Sequence, residues 1–172
     1  MPLHEDIRSK RIVLIPFCLI SQGFQAKGIA REYPAVVKPV MKELLEREVN
    51  LIQMPCPEGM FGGYSRGLKR DPKGIRDYDV PEFRELCAIL ADDVIEMISA
   101  AISEGFQISA ILGMEYSPSC AVNLQADKSQ RPGIFIEILM KRLEEEGISI
   151  PFIGVDKGDT GSAVSELRQL LD

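Results

Sequence analysis

Ile12-Val-Leu-Ile-Pro-Phe-Cys18 decides how the rest of the chain reads. A short β-branched apolar run without polar alternation suits a strand covered on both faces, as in parallel sheets. Arg8, Lys10 and Arg11 precede it, in the way a basic segment precedes the apolar core of a secretory signal. The apolar run ends by Ile20, contains Pro16 and follows His4, Glu5 and Asp6, which favours a buried first strand instead.

Outward from that strand, the spacing of Val37, Val40, Met41, Leu44 and Leu45 predicts a helix over 34–48. Its regular part starts at Pro39, because a proline further inside would remove a hydrogen bond. A second strand over 49–54 stops at Pro55-Cys56-Pro57. The segment 59–79 is rich in glycine and charge and reads as a long loop, a length that in compact domains usually carries function. Pro81 opens a helix that Gly105 closes, with Phe83, Leu86, Leu90, Val94, Met97 and Ala101 as its apolar stripe. A third strand over 108–112 leads into a loop over 113–131. Pro132 begins a helix with Phe135, Leu139 and Leu143 inward, ending at Gly147. A fourth strand follows over 148–155. Asp159 or Thr160 caps a last helix over 159–171, with Val164, Leu167 and Leu171 inward. Strands alternating with helices predict a single α/β domain over 1–172. Its expected core is a Rossmann-like or flavodoxin-like doubly wound parallel sheet of about four strands, in the order 2-1-3-4.

With 172 residues, 45% of them apolar, the chain is large enough to bury a core without staples. A net charge of −6, with the basic residues dispersed, argues against a nucleic-acid polymer as partner but leaves a nucleobase or nucleotide open as substrate. No segment approaches the ~20 apolar residues that span a bilayer, so no membrane partner is expected. Four cysteines in a chain of this length do not suggest a disulfide framework, and a cytoplasmic location is expected.

Doubly wound sheets bind ligands beyond the carboxyl ends of their strands. Cys18 ends the first strand, Cys56 follows the second by two residues, and Cys120 lies in the loop after the third. Free cysteines are often mere packing, but joint placement at one edge points to a common site. Cys87, inside the helical pattern Arg-Glu-Leu-Cys-Ala-Ile-Leu, reads as packing. Three thiolates suit zinc with water as its fourth ligand, or a [4Fe–4S] cluster with one iron left for substrate. The lack of a CxxC pair, and a single histidine at His4, weaken the usual zinc arrangements. A phosphatase-like thiolate loop would want an arginine soon after Cys18, and Leu19 to Lys27 offers none.

Phe-Cys-Leu-Ile-Ser-Gln-Gly at 17–23, Pro-Cys-Pro-Glu-Gly-Met-Phe-Gly-Gly at 55–63 and Ser-Pro-Ser-Cys at 117–120 follow three successive strands. With Gly133-Ile-Phe and Gly147-Ile-Ser-Ile-Pro, this ordered set resembles the 2-thiouracil desulfurase family over residues 12–155. The resemblance implies that Cys18, Cys56 and Cys120 hold a [4Fe–4S] cluster, whose fourth iron takes the sulfur of a small thiolated substrate. Water then completes a non-redox replacement of C=S by C=O, so the chain would be an enzyme. Apo protein after aerobic purification is compatible with that assignment. Phe17 and Ala121 stand where close relatives tend to have a small residue and a glycine.

Glu58, two residues beyond Cys56, is the first choice for acid/base work; its competing role is to cap a turn. Ser117 would orient substrate or water, while the competing reading has Ser117 and Ser119 shaping the turn around Pro118. Arg66, Lys69, Arg70, Lys73 and Arg76 suit a lid for an anionic substrate, although Asp71, Asp77 and Asp79 favour a plain solvated loop. Besides a desulfurase or desulfidase, two other readings stay open. One is a non-catalytic iron–sulfur or zinc-binding module, such as a sulfur carrier or redox sensor, and the other is a zinc hydrolase.

Overall fold

A computed structural model describes residues 7–63 and 78–172. His4 and the basic residues Arg66, Lys69, Arg70, Lys73 and Arg76 lie outside the described residues.

The apolar run after Lys10 is strand β1, Arg11–Pro16, and it is the second strand of a four-stranded sheet. It pairs in parallel with β2, Asn50–Met54, on one side and with β3, Gln107–Met114, on the other. The last strand, β4, Phe152–Val155, pairs in parallel with β3, giving the order β2-β1-β3-β4. That is the expected doubly wound order. The register between β1 and β3 shifts at Ile12/Val13, where Ser109 is the extra residue.

Ile12, Val13, Leu14 and Ile15 are all buried, so neighbours on both sides of the strand reach the core. Those neighbours are helices. Helix α4, Pro81–Ser103, packs against α5, Ile134–Glu145, and α2, Lys38–Glu46, packs against α6, Gly161–Leu171. Three short helical pieces stand at the strand exits: α1, Phe17–Ile20, a 3₁₀ turn at Gln22–Phe24, and α3, Pro57–Gly62.

Differences from the sequence expectations are local. Helix α2 is shorter than 34–48 and starts one residue before Pro39, whose missing N–H costs nothing in a first turn. On α4 the buried positions are Phe83, Cys87, Leu90, Ala91, Val94 and Ile98, while Met97 is exposed. Both stripes have helical spacing, and contact with α5 and the sheet selects between them. Strand β4 occupies only the end of the expected 148–155. The segment expected to be loop from Gly59 onward begins as the remainder of α3, through Gly62. Thr160 is the cap position of α6 without a side-chain bond, and Asp159 Oδ1 instead accepts from Gly161 N at 3.2 Å. Among the described residues, no helix is long and apolar enough to cross a membrane.

Candidate functional site

All four strands point their carboxyl ends at one edge, and each is followed there by polar or sulfur-bearing groups. After β1, Cys18 sits in the single turn of α1, half-buried. After β2, Cys56 is the cap of α3, with its sulfur accepting from Gly59 N at 3.3 Å. Pro57 fits the first position of that helix because no N–H is needed there. Glu58 follows in the first turn, where a carboxylate is favoured by the helix dipole, and it is only 9% exposed. After β3, a tight turn runs from Tyr116 to Cys120. Tyr116 has φ 65°, a left-handed backbone that non-glycine residues rarely adopt.

That turn is held by Ser117. Its Oγ accepts from Cys120 N at 3.0 Å and from Ser119 N at 3.3 Å, and donates to Glu58 Oε1 at 2.8 Å. Ser119, fully buried, donates to the same oxygen at 2.8 Å and lies 3.3 Å from the Cys120 sulfur. Ser117 therefore shapes the turn, as one expectation had it, and also contacts Glu58. The loops after β2 and β3 are joined through one carboxylate oxygen.

Two glycines allow this closeness. A Cβ on Gly133 would stand 2.3 Å from the Ser119 carbonyl carbon and 2.7 Å from Cys120 N, so α5 can begin directly under the cysteine turn only without a side chain. A Cβ on Gly59 would stand 2.0 Å from the Phe24 ring, which itself stacks on Phe17 at 4.3 Å. The Cys18 and Cys56 segments thus pack ring against bare backbone.

The three thiols lie within electrostatic reach of one another. Burial pushes the Cys18 thiol up to about 12, helped by the neighbouring Cys56 and Glu58 and opposed by a hydrogen bond from Gln25 and the charge of Lys157. Burial also drives Cys120 well above the ordinary thiol range, with Cys56, Cys18 and Glu58 adding to the rise and Ser119 opposing it. Sulfur donors and a carboxylate crowd together with little positive charge, which is the environment a cationic centre relieves. Among the described residues, no three His, Cys, Asp or Glu side chains are grouped to grip one metal ion. Cys87 is buried in the core, as expected of packing. It is also close enough to Glu58 for that carboxylate to contribute, second to burial itself, to a thiol pushed up to about 12.

Several site groups have no clear mark in the sequence. Ser119 is legible there only as a turn residue. Gln22 and Gln25 surround Cys18, and Lys157 reaches them from beyond β4. The available signal is positional: Lys157 follows the fourth strand by two residues, as Cys56 follows the second.

No family model matches this chain. It is similar to an uncharacterized protein of Methanocaldococcus jannaschii, 28% identical over 153 residues, which cover 89% of this chain and 90% of that one. No solved structure matches. What the fold and the edge define is a class, an α/β domain with thiols gathered at the carboxyl end of a parallel sheet.

Proposed function

We propose that the protein is a desulfurase of the 2-thiouracil desulfurase type, removing sulfur from a small thiolated compound such as a thiouracil-like nucleobase or nucleotide. The observation that carries this reading is Glu58, a nearly buried carboxylate held by two serine hydroxyls beside three mutually interacting thiols. Besides joining the two loops, an oriented carboxylate beside the thiols supplies what proton transfer requires.

Cys18, Cys56 and Cys120 would hold a [4Fe–4S] cluster. When bound, it supplies an iron not tied to the protein, a soft Lewis acid for the substrate's sulfur. The donor set fits this group better than zinc. A cubane puts each thiolate on its own iron, so its ligands need not converge as tightly as three donors on one ion. The remaining chemistry belongs to the chain. The thiocarbonyl and water become a carbonyl and hydrogen sulfide. A water oxygen bonds to carbon as the carbon–sulfur bond breaks, and no electron is gained or lost. Glu58 accepts a proton from the attacking water and returns it to the departing sulfur. Ser117 and Ser119 fix the orientation of its carboxylate, and Ser117, the less buried of the two, is the one suited to meet substrate or water.

The test is sulfide release from a panel of thiolated nucleobases and nucleotides by anaerobically prepared, brown protein. We expect release from at least one compound. Glu58→Gln should retain iron and colour yet be at least about tenfold slower, because glutamine keeps the shape but not the proton. Brown protein that desulfurates nothing returns the reading to a carrier or sensor, and colourless zinc protein returns it to a hydrolase.

A further inference from the structure

Lys157 is an odd cation for this site, because its hydrogen bonds run to neither a thiol nor a serine. Its side chain is largely buried, and its ammonium is surrounded by acceptors. It donates to Gln25 Oε1 at 2.8 Å, to the Ile29 carbonyl at 3.0 Å and to Gln22 Oε1 at 3.5 Å, with Glu32 Oε2 at 3.6 Å.

An ammonium has three donors and no acceptor, so it meets a carboxamide only at its oxygen. Gln22 and Gln25, both buried, are therefore turned the same way, with their amide nitrogens directed away from Lys157. Gln22 Nε2 donates to the Cys18 carbonyl at 2.5 Å, which ties that amide to the segment carrying the thiol. Without a cation at its oxygen, the Gln22 amide has two nearly isosteric orientations, one of which would set an oxygen against the Cys18 carbonyl.

We propose that Lys157 is a positioning residue: anchored on Gln25 and the Ile29 carbonyl, it fixes the Gln22 carboxamide by its oxygen so that the amide nitrogen holds the Cys18 carbonyl. The lock does not depend on the function proposed above; for that function it would keep the Cys18 segment in place.

The experiment has two arms. The first reads side-chain amide exchange by ¹⁵N NMR in the full chain, and needs no cluster. The carboxamide protons of Gln22 should be protected in the wild type, and exchange at least about tenfold faster in Lys157→Met. Lys157→Arg, again donor-only, should restore protection. If Lys157→Met does not fold, Lys157→Gln serves instead, since its amide offers both donor and acceptor and dictates neither orientation. Unchanged exchange in the folded variant overturns the proposal. The second arm is a double-variant cycle on stability, read from the denaturant midpoint. Lys157→Met and Gln22→Leu should each lower it, and the Lys157→Met loss should shrink in the Gln22→Leu background. Full additivity would mean that Lys157 acts by charge alone, and would overturn the positioning role. Protected amides in a protein that takes up no iron would keep the lock and remove the cluster.

Discussion

Glu58 Oε1 takes two hydroxyl donors, and the serines that supply them are not equivalent. Ser117 also organises the backbone N–H groups of Ser119 and Cys120, whereas Ser119 is a buried side chain whose bonds run to Glu58 and the cysteine sulfur. Ser119→Ala should cost about 1.5–3 kcal/mol, the range for a hydrogen bond to a charged group, read from the denaturant midpoint. Ser117→Ala should cost at least as much. The double variant should cost more than the sum, because only then does the oxygen lose both hydroxyls in a nearly dry site. Additive losses would mean that water replaces the serines freely. A second expectation concerns the cysteines. Under the proposed function, Cys87→Ala should keep whatever iron the wild type takes up and lose ~1 kcal/mol of packing, while alanine at Cys18, Cys56 or Cys120 should lose most of it. Equal iron content in all four variants would dissolve the common site.

At the scale of the elements, the site depends on how closely α5 approaches the turn after β3. Gly133→Ala puts a methyl group into the backbone of Ser119 and Cys120, where no rotamer change gives relief. It should destabilise the fold by ~1–3 kcal/mol, seen as a lower Tm, and, under the proposed function, reduce iron uptake, because the atoms that must yield belong to the cysteine turn. Gly59→Ala meets a phenylalanine ring instead, and the ring can yield at the expense of the Phe17 stack. An iron content lowered equally by both would weaken the distinction between backbone and side-chain obstruction. Much of this layout is legible in the sequence. Prolines mark the starts of α3 and α4, and an unbroken apolar run marks β1, because these are local backbone preferences. The bonds from Ser119 and Lys157 are not legible, since they join loops that only the strand order brings together. Met97 lies outside the buried stripe of α4 for a related reason: two stripes share the helical period, and the neighbour chooses.

Across the whole molecule, the two edges of the sheet do different work. At the edge opposite the thiols, Glu43 accepts from Arg47 Nε and Arg168 Nε, each at 3.0 Å. Arg47 also pairs with Asp172, and Arg11 bonds the carbonyls of Leu171 and Arg47 at 2.7 and 2.9 Å. This network ties β1, α2 and the C-terminal α6 together. Burial alone would push Glu43 upward, but hydrogen bonds and charge from Arg168 and Arg47 outweigh it and hold the carboxyl below its ordinary 4.5. A lowered folded value means that the contribution is fully present above about pH 4.5 and is lost as pH falls through the folded value. Glu43→Gln should be less stable at neutral pH and should show a shallower loss below about pH 4.5, measured by denaturation across pH. An unchanged acid limb would assign the loss to other carboxylates. The strand order has one more consequence, in time. During synthesis Cys18 and Cys56 emerge early, but β1 is an interior strand that must wait for β3, and the Cys120 turn and Lys157 arrive later still. The thiols meet only when segments distant in sequence have paired, so the nest is unfinished until β3 and the turn after it have emerged and docked. A ligand that needs all three thiols therefore waits on the third strand, however early the first two become available.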